Sequence, residues 1–257
     1  MTRINDSSTS HRQTPDAAVQ SDVKLAPLRQ PFPDPKMNLE QARFNMVEQQ
    51  IRPWEVLDAE VLNLLYAVHR EEFVPAAHRE LAFSDLEIPL YTGAAPGEYM
   101  MQPKLEARIL QELSVKKSDK VLEVGTGSGY LTALLAHRAL SVVSIEINPA
   151  IKSIGEKNLA PHAFNNMSLA LGDGAQGWTK AAPYDVIVLT GSTPVLPQTL
   201  LDQLKPGGRL FAILGDAPVM EARLVTCNAP GAFQSTVLFE TCTAPLVNAA
   251  QPKRFSF

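Results

Sequence analysis

Residues 120–146, KVLEVGTGSGYLTALLAHRALSVVSIE, constrain the fold of this chain more than any other stretch. Val121, Leu122 and Val124 form the short apolar run that a parallel strand buried on both faces requires. Gly125, Thr126, Gly127, Ser128 and Gly129 follow at once, and then a helix-like segment over residues 130–138. Residues 142–147 make a second apolar, β-branched run, with Glu146 and Ile147 at its end. A strand, a glycine turn, a helix, a strand and an acid form the first half of a nucleotide-type βαβ unit. The glycines let the main chain turn tightly and let a ligand approach it closely. The acid can accept hydrogen bonds from ribose hydroxyls, although a solvated strand terminus is the plainer reading of Glu146.

A dinucleotide fingerprint places glycine at the first, third and sixth positions of the turn, so that a pyrophosphate seats on the helix start. Here Tyr130 holds the sixth position, and the glycines read G-x-G-x-G with Glu123 just ahead of them. A carboxylate at that point suits a cationic ligand better than a pyrophosphate. The E-x-G-x-G-x-G pattern resembles the first motif of S-adenosylmethionine-dependent methyltransferases. A dinucleotide and a purely structural glycine turn are the other two readings of the same residues.

With 257 residues, 45% of them hydrophobic, the chain can bury one substantial core, alone or with a small appendage. A net charge of −4 argues against a nucleic-acid or membrane footprint. No apolar run reaches the length of a membrane span and no hydrophobic signal core opens the chain, so a cytoplasmic location is expected. Cys227 and Cys242 lie on neighbouring strand-like segments. They can face each other, but two free thiols fit a reduced compartment better. The five histidines show no metal-ligand spacing, and no metal is expected.

Residues 1–36 are polar and proline-bearing, and read as a disordered tail that cannot build a core of its own. A translation start placed upstream of a true start at Met37 would look the same. Residues 37–257 read as a single domain, with a helical preface and loop over 37–118 and an α/β core over 119–257. Asn38 and Gln41 suggest a capped helix running to Arg52, where Pro53 stops it. A second helix starts at Asp58, with Val61, Leu62, Leu65 and Val68 on one face, and Pro103 opens a third. Beyond Glu146, a helix follows Asn148 and Pro149. Strands are expected at residues 167–171 and 184–190, and a helix over 197–204. A turn at Pro206, Gly207 and Gly208 then feeds a strand over 209–214. Residues 222–227 and 235–243 flank a turn with Pro230 and Gly231, as an antiparallel hairpin on the sheet edge. This βαβα alternation predicts a doubly wound, mostly parallel α/β fold, with ligands at the carboxyl ends of the strands.

The ordered set of motifs is more specific than the glycine turn. MVEQQIR at 46–52, VHREEFVP at 68–75, Gln102 with Pro103, VLEVGTGSGY at 121–130, GDG at 172–174, APYDVIVLT at 182–190 and QLKPGGRL at 203–210 together resemble the protein-L-isoaspartate O-methyltransferase family. The similarity runs from Asn38 to about Leu246 and implies a Rossmann-like methyltransferase fold. It also implies S-adenosyl-L-methionine as cofactor, S-adenosyl-L-homocysteine as product, and the side-chain carboxylate of an isoaspartyl residue in a damaged protein or peptide as acceptor. Carried over by position, Gly125, Gly127 and Gly129 would line the methionine part of the cofactor, with Glu123 near its amino group. Val124, Thr126 and Ser128 would share that wall. Glu146 and Ile147 would hold the ribose, Asp173 and Gly174 would border the adenine, and Gln102 and Thr190 would complete the site. The plain alternative for Asp173 is a tight-turn residue.

The acceptor half departs from the family. Where the family carries a threonine, an apolar residue and an active-site serine ahead of Gln-Pro, this chain has Tyr99, Met100 and Met101. A thioether offers a weak acceptor and no proton. The preceding loop is about four residues longer than the family pattern, and its Gly-His-Gly-Gln run has become Ala-Pro-Gly-Glu. Tyr99 and Ser192 are therefore the candidates to supply the missing hydroxyl beside Met101. A more apolar small-molecule acceptor, and a non-catalytic S-adenosylmethionine-binding module, stand as alternatives to isoaspartyl repair.

Overall fold

The computed structural model describes residues 35–252. The segment read as a disordered tail thus lies outside the described residues, except for Pro35 and Lys36, which begin a helix. That helix, α1 (Pro35–Met46), starts ahead of the expected Asn38. It runs into a turn of π-helix over Val47–Ile51 and a 3-10 turn over Arg52–Trp54, where Pro53 ends it. The next helix, α2 (Ala59–Ala67), is capped by Asp58, whose carboxylate accepts from Glu60 N at 2.8 Å and Val61 N at 3.1 Å. Two short strands, β1 (Ile88–Pro89) and β2 (Tyr99–Met100), pair antiparallel around the long loop between them. Pro103 is the first residue of α3 (Pro103–Leu113), which buries Leu105, Ile109, Leu110 and Leu113 as its spacing predicts.

The core then alternates β3 (Lys120–Val124), α4 (Tyr130–Arg138), β4 (Ser141–Glu146), α5 (Pro149–Leu159), β5 (Met167–Leu171) and β6 (Tyr184–Thr193). It continues through α6 (Gln198–Leu201), β7 (Leu204–Asp216), β8 (Val219–Ala229) and β9 (Ala232–Glu240). The main sheet has seven strands in the order β5-β4-β3-β6-β7-β8-β9. The pairs from β5 to β7 are parallel, and β8 and β9 add antiparallel on the edge. Val121 packs into one hydrophobic cluster with the helical preface, while Leu122 and Val124 enter a second cluster on the other face of the sheet. Strand order reverses between β3 and β6, which places the ligand crevice at the carboxyl ends of these two strands.

Three expectations shift. The helix expected over residues 197–204 is only Gln198–Leu201, because Leu204 already pairs with Tyr184 of β6. Pro206, Gly207 and Gly208 are therefore an irregularity inside β7 rather than a turn before it, and the register shifts between Tyr184 and Val186. The last strand ends at Glu240, and the chain beyond it returns alongside β6. Ser192 N donates to Ala244 O at 3.0 Å, and Leu246 N donates to Ser192 O at 2.9 Å. Cys227 is buried and Cys242 exposed, both as free thiols. No helix among the described residues is long and apolar enough to cross a membrane.

Candidate functional site

A cavity of about 280 Å³ opens where β3, β4 and β6 end. Its floor is the glycine turn. Gly125 has φ 99°, and a Cβ there would stand 2.0 Å from Thr190 Oγ1, so only glycine allows the turn to lie against β6. Thr190 Oγ1 donates to Val124 O at 2.9 Å and Gly125 O at 3.0 Å, which fixes the turn to the neighbouring strand. Gly127 faces open space, with no atom within 4 Å of where its Cβ would be. Thr126 and Ser144 share a buried hydroxyl–hydroxyl bond of 2.6 Å beneath the turn.

Glu146, at the end of β4, is buried and aimed back at the turn. Its Oε2 accepts from Gly127 N at 3.2 Å and its Oε1 from Asn148 N at 3.0 Å. Ile147 and Asn148 follow it along the cavity wall. One strand further, Asp173 Oδ1 accepts from Ala175 N at 2.9 Å, while Oδ2 accepts from Asn248 Nδ2 at 2.8 Å. Asp173 is thus both a turn residue and part of the wall, with Gly174 packed tightly on Val124 behind it.

Glu123 has the most displaced carboxyl in the site. It is fully buried, and desolvation pushes its carboxyl up to about 8, against the hydrogen bond that Thr132 donates to its Oε2. Its Oε1 accepts no well-formed hydrogen bond in the cavity wall, although the Ser144 hydroxyl, paired with Thr126, also draws the carboxyl down. An acceptor so weakly satisfied in a cavity wall can take a donor from a ligand. Glu87, Glu98, Glu106, Glu146 and Asp173 also line the cavity, and among the described residues no lysine, arginine or histidine does. That excess of acidic over basic groups opposes a pyrophosphate and fits a cationic ligand. The open space over Gly127 and the weakly satisfied oxygen of Glu123 are both compatible with S-adenosylmethionine.

At the acceptor end, Met101 and Tyr99 line the cavity, Met101 nearly buried and Tyr99 at 36% exposure. Met101 is held from behind. Buried Arg70 donates from Nη2 to Met101 O at 2.5 Å and from Nη1 to Glu106, and its guanidinium lies 5.1 Å from the centre of the Tyr130 ring. Burial raises the Glu106 carboxyl above the usual range, and Arg70 pulls it the other way.

Most of the residues expected at the site from the sequence line this cavity: Met101, Tyr99, Glu123, Val124, Gly125, Thr126, Gly127, Ser128, Glu146, Ile147, Asp173, Gly174 and Thr190. Gln102, Gly129 and Ser192 do not. Gln102 precedes α3 as its N-cap residue. Gly129 precedes α4, and a Cβ on it would meet Leu159 of α5 at 2.9 Å, so its small size serves helix packing. Ser192 is fully buried, and its hydroxyl donates to Thr243 O at 3.0 Å. Sequence reasoning missed Glu98, Asn148 and the C-terminal wall of Thr243, Ala244, Pro245, Leu246 and Val247. Asn148 carried a signal as a helix cap, but the C-terminal wall depends on a return of the chain that no local pattern announces. Among the described residues no group of histidine, cysteine, aspartate or glutamate side chains is arranged to hold a metal ion.

The sequence profile of the protein-L-isoaspartate(D-aspartate) O-methyltransferase family matches residues 41–251. A protein-L-isoaspartate O-methyltransferase of Methanoculleus marisnigri is 38% identical over 206 residues, covering 80% of this chain and 91% of the relative. A protein-L-isoaspartate O-methyltransferase of Syntrophobacter fumaroxidans is 38% identical over 195 residues, covering 76% of this chain and 89% of its own. Among solved structures, a Plasmodium falciparum chain in complex with S-adenosyl-L-homocysteine superposes with a TM-score of 0.68 at 19% identity, over 81% of this chain and 97% of that one, and so shares the fold. With the ordered motifs, the sheet order and the profile match in agreement, this chain belongs to the protein-L-isoaspartate O-methyltransferase family.

Proposed function

We propose that the protein is an S-adenosyl-L-methionine-dependent methyltransferase that esterifies the side-chain carboxylate of isoaspartyl residues in damaged proteins or peptides. The family match over residues 41–251 carries this reading, and the chemistry of the cavity supports it. Residues 37–257 act as one methyltransferase domain in this account, with the helical preface supplying the acceptor wall. When bound, S-adenosylmethionine supplies a methyl group on a positively charged sulfur. Glu146 would accept from its ribose hydroxyls, Glu123 would receive its cationic amino group, and Asp173 with Gly174 would border its adenine, all four residues lining the cavity. An acceptor carboxylate is already ionised near neutral pH and needs no base. Apolar Met101 lowers the polarity of the acceptor end, and transfer depends on alignment, which can lower a barrier by several kcal/mol. The following backbone nitrogen then attacks the ester carbonyl and expels methanol, and water opens the resulting succinimide partly to ordinary aspartate.

The test is a paired-peptide assay with methyl-labelled cofactor. Base-labile label on the isoaspartyl peptide and none on its aspartyl twin is expected. No label on either, with S-adenosylhomocysteine binding intact, would reject this acceptor. A second reading, an uncharged apolar acceptor, is favoured by one observation: among the described residues the cavity lining offers Met101 and several carboxyl groups but no basic side chain to hold an anion. Label appearing on a neutral small molecule from a cell extract, and not on the isoaspartyl peptide, would establish it.

A further inference from the structure

Glu98 closes the loop between β1 and β2, and its carboxylate is engaged on both oxygens. Oε2 accepts from the Tyr91 hydroxyl and from Ala95 N at 2.8 Å, which folds the loop on itself. Oε1 accepts from Asn148 Nδ2 at 2.9 Å, which ties the loop to the residue that caps α5. Asn148 N in turn donates to Glu146 Oε1, and Glu146 Oε2 accepts from Gly127 N. An unbroken path of hydrogen bonds therefore runs Tyr91–Glu98–Asn148–Glu146–Gly127, from the acceptor side to the cofactor turn. The residue after Glu98 is Tyr99, and β2 leads directly to Met101. The loop also rests on the C-terminal wall, since a Cβ on Gly97 would touch Ala244 at 3.4 Å. Hydrogen bonds from Tyr91, then Ala95, then Asn148 hold the Glu98 carboxyl below the usual range, so it stays ionised at neutral pH.

We propose that Glu98 is a positioning residue that couples ribose recognition to the acceptor wall: through Asn148 it makes the seating of Tyr99–Met101 depend on what Glu146 holds. The proposal rests on the reading of Glu146 as the ribose acceptor. Glu146 spends both oxygens on backbone donors, so ribose hydroxyls that share those oxygens re-aim it. Asn148 is bonded to Glu146 through its N–H and to Glu98 through its amide, and transmits the change to the loop. Coupling of this kind is reciprocal: whatever the cofactor does to the order of the loop, the order of the loop does to cofactor affinity.

The experiment is hydrogen exchange of the amides in residues 90–101, with and without S-adenosylhomocysteine, on the full chain and on Glu98→Ala and Glu98→Gln. Binding of S-adenosylhomocysteine is first established for each by calorimetry. In the wild type, ligand is expected to slow exchange in this segment about tenfold. In Glu98→Ala the slowing is lost while protection of β3 and β6 is kept. Glu98→Gln, which retains an oxygen for Asn148 and the volume of the side chain, is expected to fall between them. If Glu98→Ala does not fold, the ordering of Glu98→Gln below wild type decides the matter. Equal slowing in the wild type and in the folded variants would overturn the coupling and leave the cofactor reading intact. A wild type that does not bind S-adenosylhomocysteine would overturn that reading, and the coupling with it.

Discussion

Ser192 donates its hydroxyl to the carbonyl of Thr243 at 3.0 Å, and its backbone is bonded to Ala244 and Leu246 on either side of Pro245. A hydroxyl that the sequence offers for methyl transfer is thus used to anchor the C-terminal wall of the cavity. Ser192→Ala is expected to lower stability by about 1 kcal/mol, the worth of one intramolecular hydrogen bond, with kcat changed by less than about threefold. Thermal unfolding and steady-state kinetics on the same preparation check both halves.

The glycines of the turn are not equivalent. Gly125→Ala forces a Cβ onto Thr190 Oγ1 at a φ of 99°, and is expected to cost about 1–3 kcal/mol of stability as well as cofactor binding. Gly127→Ala has room for its Cβ, but the room is the cavity itself. It is expected to remain folded and to weaken S-adenosylhomocysteine binding at least about tenfold. Melting curves paired with calorimetry separate the two cases.

Glu123 places a functional cost in the fold. Its carboxyl titrates near 8 when buried and near the ordinary glutamate value when unfolded, so the folded state binds the extra proton between those limits. Its contribution to stability is therefore fully present below the unfolded value and is lost as pH rises through about 8. Glu123→Gln is expected to flatten the fall in stability over that window and to gain about 1–3 kcal/mol at its alkaline end. The same variant is expected to bind S-adenosylhomocysteine more weakly. In the wild type, binding is expected to strengthen as pH rises towards 8, because a cationic partner favours the ionised carboxylate and a proton is released. Denaturant titrations and calorimetry across pH measure each slope.

Met101 lines the cavity at the position where the family resemblance implies a serine, and its carbonyl is fixed by Arg70. Met101→Ser is expected to raise kcat/KM on isoaspartyl peptides several-fold while costing about 2 kcal/mol of stability through the cavity it leaves. An unchanged or lower kcat/KM in a folded variant would show that the absent hydroxyl does not limit transfer.

Much of this architecture was legible in the chain because the signals are local. Residues 130–138, Asn148 with Pro149, and 167–171 became α4, the start of α5 and β5 at the expected places, since a cap, a proline and a short apolar run closed by Gly172 act within a few residues. The helix expected over 197–204 was cut short because Leu204 pairs with Tyr184, a contact that no local pattern encodes. The same division holds in the site. The glycine turn and Glu146 belong to one contiguous βαβ unit and could be read directly. Glu98, Asn248 and the wall from Thr243 to Val247 owe their places to side chains 50 and 75 residues away in sequence, Asn148 for Glu98 and Asp173 for Asn248, and to the return of the chain past Ser192. Gly129, which sits inside the motif, turned out to face Leu159 rather than the cavity.

The most direct measurement is a calorimetric comparison of S-adenosylhomocysteine and NADH on the purified protein and on Glu146→Ala. Saturable 1:1 binding of S-adenosylhomocysteine to the wild type is expected, with at least about tenfold weaker binding to Glu146→Ala and no heat from NADH. Binding of NADH with S-adenosylhomocysteine ignored would contradict this expectation.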